Sequence, residues 1–320
     1  MPAKTKFEIK EGPATREAFG KTLVELGREN KDIVVCDADL AKSTMTVYFQ
    51  KEFPERFISC GIAEANMCGI GAGLAYSGKI PFVSSFSAFV MNKGFEQLRA
   101  CVAYPHANVK VVGTHSGISI GEDGPSQMSI EETSLACSLA GFVVISPADE
   151  ASTKALVRAA AAYVGPVFIR TGRLKAPIIY NGDHKFEIGK AMEVAEGKDV
   201  TIVANGLMVA QSLLAADILD GQGISARVVD MHTIKPLDVD AIKRAADTGA
   251  IVVAEEHLVD GGLGVRVAQV VAETRPCAME FVGIQNTYAE TGGPQEILDK
   301  YGLTTPHIVD AVKKVVARKR

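Results

Sequence analysis

The chain has 320 residues, of which 47% are hydrophobic and 22% charged, with a formal net charge of -4. This composition is typical of a soluble globular protein of two domains, and the slight acidity argues against a general nucleic-acid binder. We find no signal peptide and no apolar run of the roughly 18 residues that a membrane span needs, so we expect a cytoplasmic protein without membrane contact. The six scattered cysteines include no CxxC pair, which favours reduced core thiols over disulfides or a metal site.

Short apolar segments alternate with helical patterns along the first half of the chain. Apolar, β-branched residues bounded by breakers predict buried strands at residues 33–36, 57–60, 80–84, 109–113, 143–146 and 167–170. The patterns between them predict helices at residues 16–28, 62–77, 95–102, 130–139 and 148–164. This alternation indicates an α/β fold with a mainly parallel sheet and helices on both of its faces.

A polar stretch at residues 181–185 interrupts the pattern, and we predict a domain boundary near Gly189. The predicted domains are residues 1–188 and 189–320. In the second, the alternation resumes with strands at residues 200–204, 227–230, 251–254 and 279–282, each followed by a helical segment. We therefore expect a second, smaller α/β domain.

Two glycine-rich segments resemble a dinucleotide-binding fingerprint, but their context does not fit one. Residues 69–73 lie inside a helical pattern, where small residues more plausibly allow close packing of the helix on the sheet. Residues 261–264 lack the full GxGxxG spacing. We expect neither segment to bind a nucleotide.

Glu64 is the only charged residue between Cys60 and Tyr76, in a segment of small and apolar residues. A buried carboxylate with no cation near it in sequence is costly unless it stays protonated or finds a strong hydrogen-bond partner. Such a residue is often structural, but this is also how proteins make a carboxyl group useful at neutral pH. Glu64 is therefore a candidate functional residue.

Four segments in order, GIAEANM (61–67), PFVSSFSAF (81–89), GEDGPSQM (121–128) and FIRTGR (168–173), resemble the C-terminal half of transketolase. The resemblance covers nearly the whole chain. It implies a pyrimidine-binding domain of the thiamine-diphosphate fold, followed by the smaller transketolase C-terminal domain. It also implies that Glu64 is catalytic: its hydrogen bond to the aminopyrimidine ring of thiamine diphosphate would keep that ring in the imino form that deprotonates the thiazolium carbon.

The resemblance extends to three further residues near the cofactor. Phe89, and more loosely Phe86, match the aromatic residues that pack on the pyrimidine ring, and Asp39 matches an aspartate near the thiazolium. Without the family pattern, the two phenylalanines read as core residues and Asp39 as a helix N-cap or turn residue. All three follow predicted strands, and α/β proteins bind ligands at the carboxyl ends of parallel strands. We expect Phe89 to lie in a loop after the strand at 80–84.

Three residues match positions that face the substrate in this family. The resemblance places His115, as a catalytic and binding residue, near the substrate phosphate, and Asp123 at the substrate hydroxyls. Gln127 stands where many bacterial and yeast transketolases have His. It can hydrogen-bond a sugar hydroxyl but cannot accept a proton, which excludes an acid–base role there. The alternative is an ordinary glycine-rich surface loop.

Arg16, Ser43 and Arg173 match the residues that bind the substrate phosphate in this family. A guanidinium group binds phosphate through two parallel charge-assisted hydrogen bonds, although a single arginine is more often part of a surface ion pair. With His115, these residues would favour sugar phosphates over free sugars.

The second domain shows no catalytic cluster. His257 is its one unusual polar residue, and we interpret it as structural.

One part of the family's machinery is missing. Enzymes of this type hold the cofactor diphosphate through a divalent metal bound by a GDG motif and, about thirty residues later, an Asn. Here no Asn occurs between Asn108 and Asn181, and residues 121–124 read GEDG, so we predict no metal ligand in this chain. A separate N-terminal subunit would supply Mg²⁺ (or Ca²⁺) and diphosphate binding, in an assembly of two copies of each chain, α2β2.

The leading hypothesis is the C-terminal subunit of a split transketolase, inactive alone. It would transfer a two-carbon ketol unit from a ketose phosphate such as xylulose 5-phosphate to an aldose phosphate such as ribose 5-phosphate. One alternative is the β subunit of a 2-oxo acid dehydrogenase, which has a similar length and uses the same cofactor. Others are a synthase that condenses pyruvate with glyceraldehyde 3-phosphate, and a non-catalytic subunit that keeps the fold.

Overall fold

The computed structural model describes residues 7–181 and 184–319. Its first eight strands are β1 (Glu11–Ala14), β2 (Ile33–Asp37), β3 (Phe57–Ser59), β4 (Ile80–Phe86), β5 (Lys110–Thr114), β6 (Val143–Ile145), β7 (Val167–Arg170) and β8 (Lys175–Pro177). The helices among them are α1 (Thr15–Glu29), α2 (Ala41–Thr44), α3 (Val47–Glu52), α4 (Glu64–Tyr76), α5 (Ser87–Gln97), α6 (Glu132–Ser138) and α7 (Glu150–Ala162).

The remaining elements build the C-terminal region. Its strands are β9 (Met192–Ala195), β10 (Val200–Ala204), β11 (Ala226–Asp230), β12 (Thr233–Lys235), β13 (Ala250–Leu258) and β14 (Ala278–Ile284). Its helices are α8 (Met208–Asp220), α9 (Val239–Ala246), α10 (Leu263–Thr274), α11 (Pro294–Lys300) and α12 (Thr305–Ala317).

A seven-stranded sheet in the order β12-β6-β7-β5-β4-β2-β3 forms the centre of the N-terminal region. All neighbouring strands are parallel except β12, which runs antiparallel to β6. The six predicted strands are the six parallel members, so the predicted α/β fold is confirmed. Because the strands are parallel, the segments that follow β2, β3, β4, β5 and β7 all emerge at one edge of the sheet.

A second sheet of five strands, in the order β14-β13-β10-β11-β9, forms the C-terminal region. Its four predicted strands pair in parallel, while β9 is an antiparallel edge strand that the sequence did not indicate. The short β12 leaves this region and pairs with β6, so both regions contribute to the larger sheet. The short strands β1 and β8 pair with each other.

One helix differs substantially from its prediction. The helix expected at residues 95–102 begins at Ser87 as α5 and continues into a π-helical turn at Leu98–Ala103. Phe89 therefore lies in a helix and not in a loop. The sequence of α5 contains Ser, Asn and Gly, which are weak helix formers, and its packing against α4 overrides that weakness.

Close packing of α4 on the sheet depends on one of its glycines. A Cβ at Gly71 would lie 2.6 Å from a methyl group of Val83 on β4, so only glycine fits. The same atom at Gly69 or Gly73 would meet nothing within 4 Å. The packing interpretation of the glycine-rich segment is therefore confirmed for Gly71 and wrong for the other two.

None of the helices in the described part of the chain is long and apolar enough to cross a membrane. The six cysteines are unpaired, and Cys36 and Cys68 are fully buried while the other four are partly exposed.

Candidate active site

Glu64 is the first residue of α4 and lies just beyond the carboxyl end of β3. The chain turns there through Gly61, whose φ of +66° favours glycine. The Glu64 side chain is 3% exposed, and a carboxylate in the first turn of a helix is stabilised by the helix dipole. Ser85 Oγ donates to its Oε1 at 3.3 Å, and Lys93 Nζ lies 3.6 Å from its Oε2. The fold thus supplies a cation from α5 that is absent from the sequence neighbourhood of Glu64.

Three rings form a stack beside this carboxylate. Phe86 ends β4, Phe89 lies in the first turn of α5, and their ring centroids are 5.5 Å apart. The ring centroid of His115 lies 3.9 Å from the ring centroid of Phe86. Lys93 Nζ lies 4.4 Å from the centroid of Phe89. The predicted aromatic residues are therefore brought together with Glu64 and His115 at one edge of the sheet.

His115 follows β5 and has a left-handed backbone conformation, with φ of +57°. Its Nδ1 lies 2.9 Å from Thr114 Oγ1, and its Nε2 lies 3.3 Å from an Nη of Arg16. Burial, and then the charges of Arg16 and Arg173, lower the pKa of His115 to about 3. The imidazole is therefore neutral at neutral pH and can take part in hydrogen bonds without carrying charge.

Arg16 joins the stack of rings to the loop after β2. Its Nη1 donates to the carbonyl oxygen of Ser43 at 2.6 Å, while its Nε is buried with no hydrogen-bond partner. Burial, followed by repulsion from Arg173, lowers the pKa of Arg16. Two guanidinium groups that repel each other beside a neutral histidine attract an anion. Ser43 lies beside Arg16, and their contact is through the backbone carbonyl of Ser43 and not through its hydroxyl group.

Arg173 lies after β7 and is paired with an acid from the glycine-rich loop. It donates to Glu122 Oε2 at 2.7 Å and also to the carbonyl oxygen of Ile120. Asp123 is exposed and lies within electrostatic reach of Arg16. Gln127 is half-buried, and its hydrogen bonds within the described residues are to Ser126 and Gly124, not to another predicted site residue.

Asp39 is exposed and adopts a φ of +64° just past the end of β2. The buried acid at this place is Asp37, which no sequence motif indicated. Asp37 accepts hydrogen bonds from Thr44 Oγ1 at 2.7 Å, Thr46 Oγ1 at 2.9 Å and the backbone N–H of Leu40 at 2.6 Å. Burial raises the pKa of Asp37, and these bonds oppose the rise. Asp37 thus fixes the loop that carries Asp39 and Ser43.

The C-terminal region supports the loop that carries Asp123. Glu256 on β13 accepts a hydrogen bond from the backbone N–H of Ser119 at 2.7 Å. Arg170 donates to Glu132 at 2.5 Å and to the carbonyl oxygen of Glu256 at 2.7 Å, and all three residues are buried. His257 is buried, with Nδ1 2.8 Å from the carbonyl oxygen of Leu258, in keeping with a structural residue.

Among the described residues, no group of three or more His, Cys, Asp and Glu side chains is placed to hold a metal ion.

Fold and site together define the class: a two-region α/β protein with a buried glutamate, stacked rings and an anion-attracting arginine pair at the carboxyl ends of parallel strands. Residues 11–178 match the model of the transketolase pyrimidine-binding domain, and residues 189–308 match that of the transketolase C-terminal domain. The chain belongs to the transketolase family.

Several relatives match this chain over nearly the whole of their own length. A putative transketolase C-terminal section from Methanocaldococcus jannaschii is 45% identical over 90% of this chain and 92% of its own. A subunit of a 6-deoxy-6-sulfo-D-fructose transketolase from a Clostridium species is 41% identical over 98% of both chains. A solved structure, described as the inactive β4 tetramer of a split-gene transketolase, is 49% identical with a TM-score of 0.91, over 97% of this chain and 100% of that one.

Proposed function

We propose that this chain is the C-terminal subunit of a thiamine-diphosphate-dependent transketolase and that Glu64 is its central catalytic residue. One observation carries the proposal: the Glu64 carboxylate is only 3% exposed, and Lys93 Nζ, 3.6 Å from its Oε2, also lies 4.4 Å from the ring centroid of Phe89, so the carboxylate and the ring share one place at the sheet edge. The match to a putative transketolase C-terminal section and to a transketolase subunit, over nearly their whole length, favours a C-terminal subunit.

The residues present fit the pyrimidine half of the cofactor. Thiamine diphosphate, when bound, supplies the carbanion chemistry that ketol transfer requires. Glu64 would hold a proton at Oε2 and hydrogen-bond a ring nitrogen, while Ser85 fixes the other carboxylate oxygen. Phe89, with Phe86 stacked against it, would pack on the ring and exclude water. Asp39 would lie near the thiazolium ring, on the loop that Asp37 fixes.

The substrate is proposed to be a sugar bearing a terminal anion. Arg16 and Arg173, with Ser43 and the neutral His115, would bind its phosphate, and the unpartnered Nε of Arg16 is a buried donor available for it. Asp123 and Gln127 would bind substrate hydroxyls. We propose xylulose 5-phosphate as donor and ribose 5-phosphate as acceptor, and a sulfonated sugar of the kind named for the Clostridium relative presents a similar anion.

A partner subunit is part of the proposal. It would be an N-terminal transketolase chain that holds the cofactor diphosphate through Mg²⁺ or Ca²⁺, in a cytoplasmic α2β2 assembly. The 49%-identical relative forms a tetramer of its β chain that is described as inactive, which favours the inactivity of this chain alone.

The test begins with capture of the partner on the tagged chain from its own cells. The reconstituted complex is then assayed for ketol transfer from xylulose 5-phosphate, with 6-deoxy-6-sulfofructose and pyruvate as competing donors. We expect Glu64→Gln to lower kcat by at least about 100-fold, whereas Glu273→Gln, an exposed change on α10, leaves it unaltered. Full activity of Glu64→Gln would refute the catalytic role. A preference for pyruvate would instead favour the 2-oxo acid dehydrogenase or synthase alternatives.

A further inference from the structure

Lys93 makes two contacts that the sequence did not suggest. It lies four residues after Phe89 on α5, so both side chains project from the same face of the helix. Its Nζ lies 4.4 Å from the centroid of the Phe89 ring and 3.6 Å from Glu64 Oε2. The Lys93 side chain is 52% exposed, so the ammonium reaches this place from solvent and is not part of the core.

We infer that Lys93 occupies the pyrimidine position in the free chain and must leave it when the cofactor binds. The inference rests on the proposed function, in which the aminopyrimidine ring packs on Phe89 and hydrogen-bonds Glu64. Lys93 makes the same two contacts, one with the face of the Phe89 ring and one with Oε2 of Glu64. A ring and an ammonium group cannot occupy one place together, so the two compete.

Lys93 also engages the oxygen that the proposed function assigns to the cofactor. Its ammonium group lies 3.6 Å from Glu64 Oε2, the oxygen that would hydrogen-bond the ring nitrogen. Departure of Lys93 would therefore both clear the face of Phe89 and free Oε2 for that bond. Until then, Lys93 offsets the cost of burying the Glu64 charge.

The strength of these contacts sets the size of the expected effect. A cation over an aromatic ring and a half-exposed ion pair are both weak interactions, because water competes for the ammonium group. Together they correspond to a factor of about 5 to 30 in an equilibrium constant. Removing Lys93 should thus strengthen binding of the pyrimidine group by about that factor, opposite to the effect expected if Lys93 only stabilised the fold.

The experiment uses the full chain and thiamine, which carries the pyrimidine ring without the diphosphate assigned to the partner. Isothermal titration calorimetry compares the wild type with Lys93→Met, which keeps the length of the side chain but not its charge. Lys93→Arg is the matched control, because it retains a cation over Phe89. We expect Lys93→Met to bind thiamine about 5 to 30 times more tightly than the wild type, and Lys93→Arg to resemble the wild type. Equal or weaker binding by Lys93→Met overturns the inference.

A second measurement follows Lys93 directly in the wild-type chain and uses the conservative Lys93→Arg variant only to assign its resonance. Lysines of the wild-type chain are converted to ¹³C-dimethyl-lysines, and the Lys93 resonance is identified by its loss in Lys93→Arg. We expect an upfield shift from the Phe89 ring current that disappears as thiamine is added. A Lys93 resonance that stays in place while thiamine binds overturns the inference.

The outcomes separate this inference from the proposed function. If thiamine binds, Glu64→Gln abolishes ketol transfer by the complex and Lys93→Met changes nothing, only the inference about Lys93 fails. If thiamine binds to neither the wild type nor Lys93→Met, and the complex shows no ketol transfer, both fail.

Discussion

Burial decides which ionisable groups of the site carry charge. His115 is 3% exposed and feels the charges of Arg16 and Arg173, so a proton on its ring would be both desolvated and repelled. The arginines remain charged, because the pKa of a guanidinium group is so high that burial does not neutralise it. The site therefore offers an anion two positive charges and one neutral ring. In this arrangement His115 is a neutral hydrogen-bonding group at neutral pH and not a charged proton donor.

The neutral His115 makes the stability of the chain depend on pH. The pKa of His115 is about 3 in the folded chain, against an ordinary value of 6.5. Below about pH 6.5 the unfolded chain therefore binds a proton at this residue that the folded chain does not bind. This contribution to stability is lost as the pH falls from about 6.5 towards 3. Between about pH 7.5 and 5.5 the loss from His115 is about 1.4 kcal/mol.

We expect His115→Gln to abolish that part of the pH dependence. The measurement is urea unfolding of the wild type and the variant at both pH values. The change in the free energy of unfolding between the two pH values is then compared between the two proteins. His184, which is exposed, gives the control variant His184→Gln, which should retain the wild-type slope. A slope unchanged by His115→Gln would mean that His115 is protonated in the folded chain.

Arg173 provides a second prediction for a single residue. Loss of a hydrogen-bonded charge partner costs about 1.5–3 kcal/mol, so Arg173→Ala should raise KM for xylulose 5-phosphate by about 10- to 100-fold in the reconstituted complex. D-Xylulose, which has no phosphate, is the matched substrate, and its kcat/KM should change little. Equal losses for the two sugars would show that Arg173 supports the fold of the site and does not bind the phosphate.

Among the elements, those with strong local patterns were predictable and those decided by contacts were not. The parallel strands of both sheets are β-branched and continuously apolar, so each was found within a few residues of its ends. Four short strands, β1, β8, β9 and β12, were missed because each has three or four residues and depends on a distant partner. The start of α5 was placed eight residues too late because its sequence is a poor helix former.

The error in α5 also limited what the sequence revealed about the site. The predicted helix begins at residue 95 and leaves Phe89 and Lys93 outside it, so neither their helical spacing nor the approach of Lys93 to Glu64 follows from the sequence. The family pattern identified residues at the ends of the strands, whose common edge follows from parallel pairing. It did not identify Asp37 or Glu256, whose contacts are supporting hydrogen bonds made outside the recognised motifs.

The packing of α4 on β4 predicts opposite effects for two neighbouring glycines. A methyl group at Gly71 would press on Val83, so Gly71→Ala should lower the free energy of unfolding by about 1–3 kcal/mol. At Gly69 the same methyl group has open space, and the higher helix propensity of Ala should raise stability by about 0.5–1 kcal/mol. Thermal unfolding of both variants of the isolated chain tests the pair. Destabilisation by Gly69→Ala would indicate a contact of α4 within an assembly of the chain.

At the scale of the molecule, buried polar contacts join the two regions. Ser119 is bound to Glu256, and the pairing of β12 with β6 ties the C-terminal region to the larger sheet. The connecting segment is fixed at Tyr180, whose hydroxyl donates to Asp230 Oδ2 at 2.6 Å and whose backbone N–H donates to Asp149 at 2.9 Å. Asp230 Oδ1 is buried without a partner. An acid in such surroundings favours its protonated form.

Asp230 makes a pH-dependent contribution opposite in sign to that of His115. Burial raises the pKa of Asp230 to about 7 from an ordinary 3.8, although the Tyr180 hydrogen bond opposes the rise. Between these values the folded chain holds a proton that the unfolded chain has released, so stability falls by about 1.4 kcal/mol per pH unit as the pH rises from about 4 to 7. Between about pH 5 and 6.5 the two residues act against each other, so their joint effect on the wild-type chain is shallow.

We therefore expect Asp230→Asn, which keeps an acceptor for Tyr180 and carries no charge, to stabilise the chain increasingly as the pH rises. The gain over the wild type should grow by about 1.4 kcal/mol per pH unit up to about pH 7 and then level off. Urea unfolding of the wild type, Asp230→Asn, His115→Gln and the double variant separates the two effects. The residues lie in different hydrogen-bond networks, so their contributions should add to within about 0.5 kcal/mol. A gain that does not vary with pH would mean that Asp230 is ionised in the folded chain, and that the linker contact depends on the charge of its carboxylate.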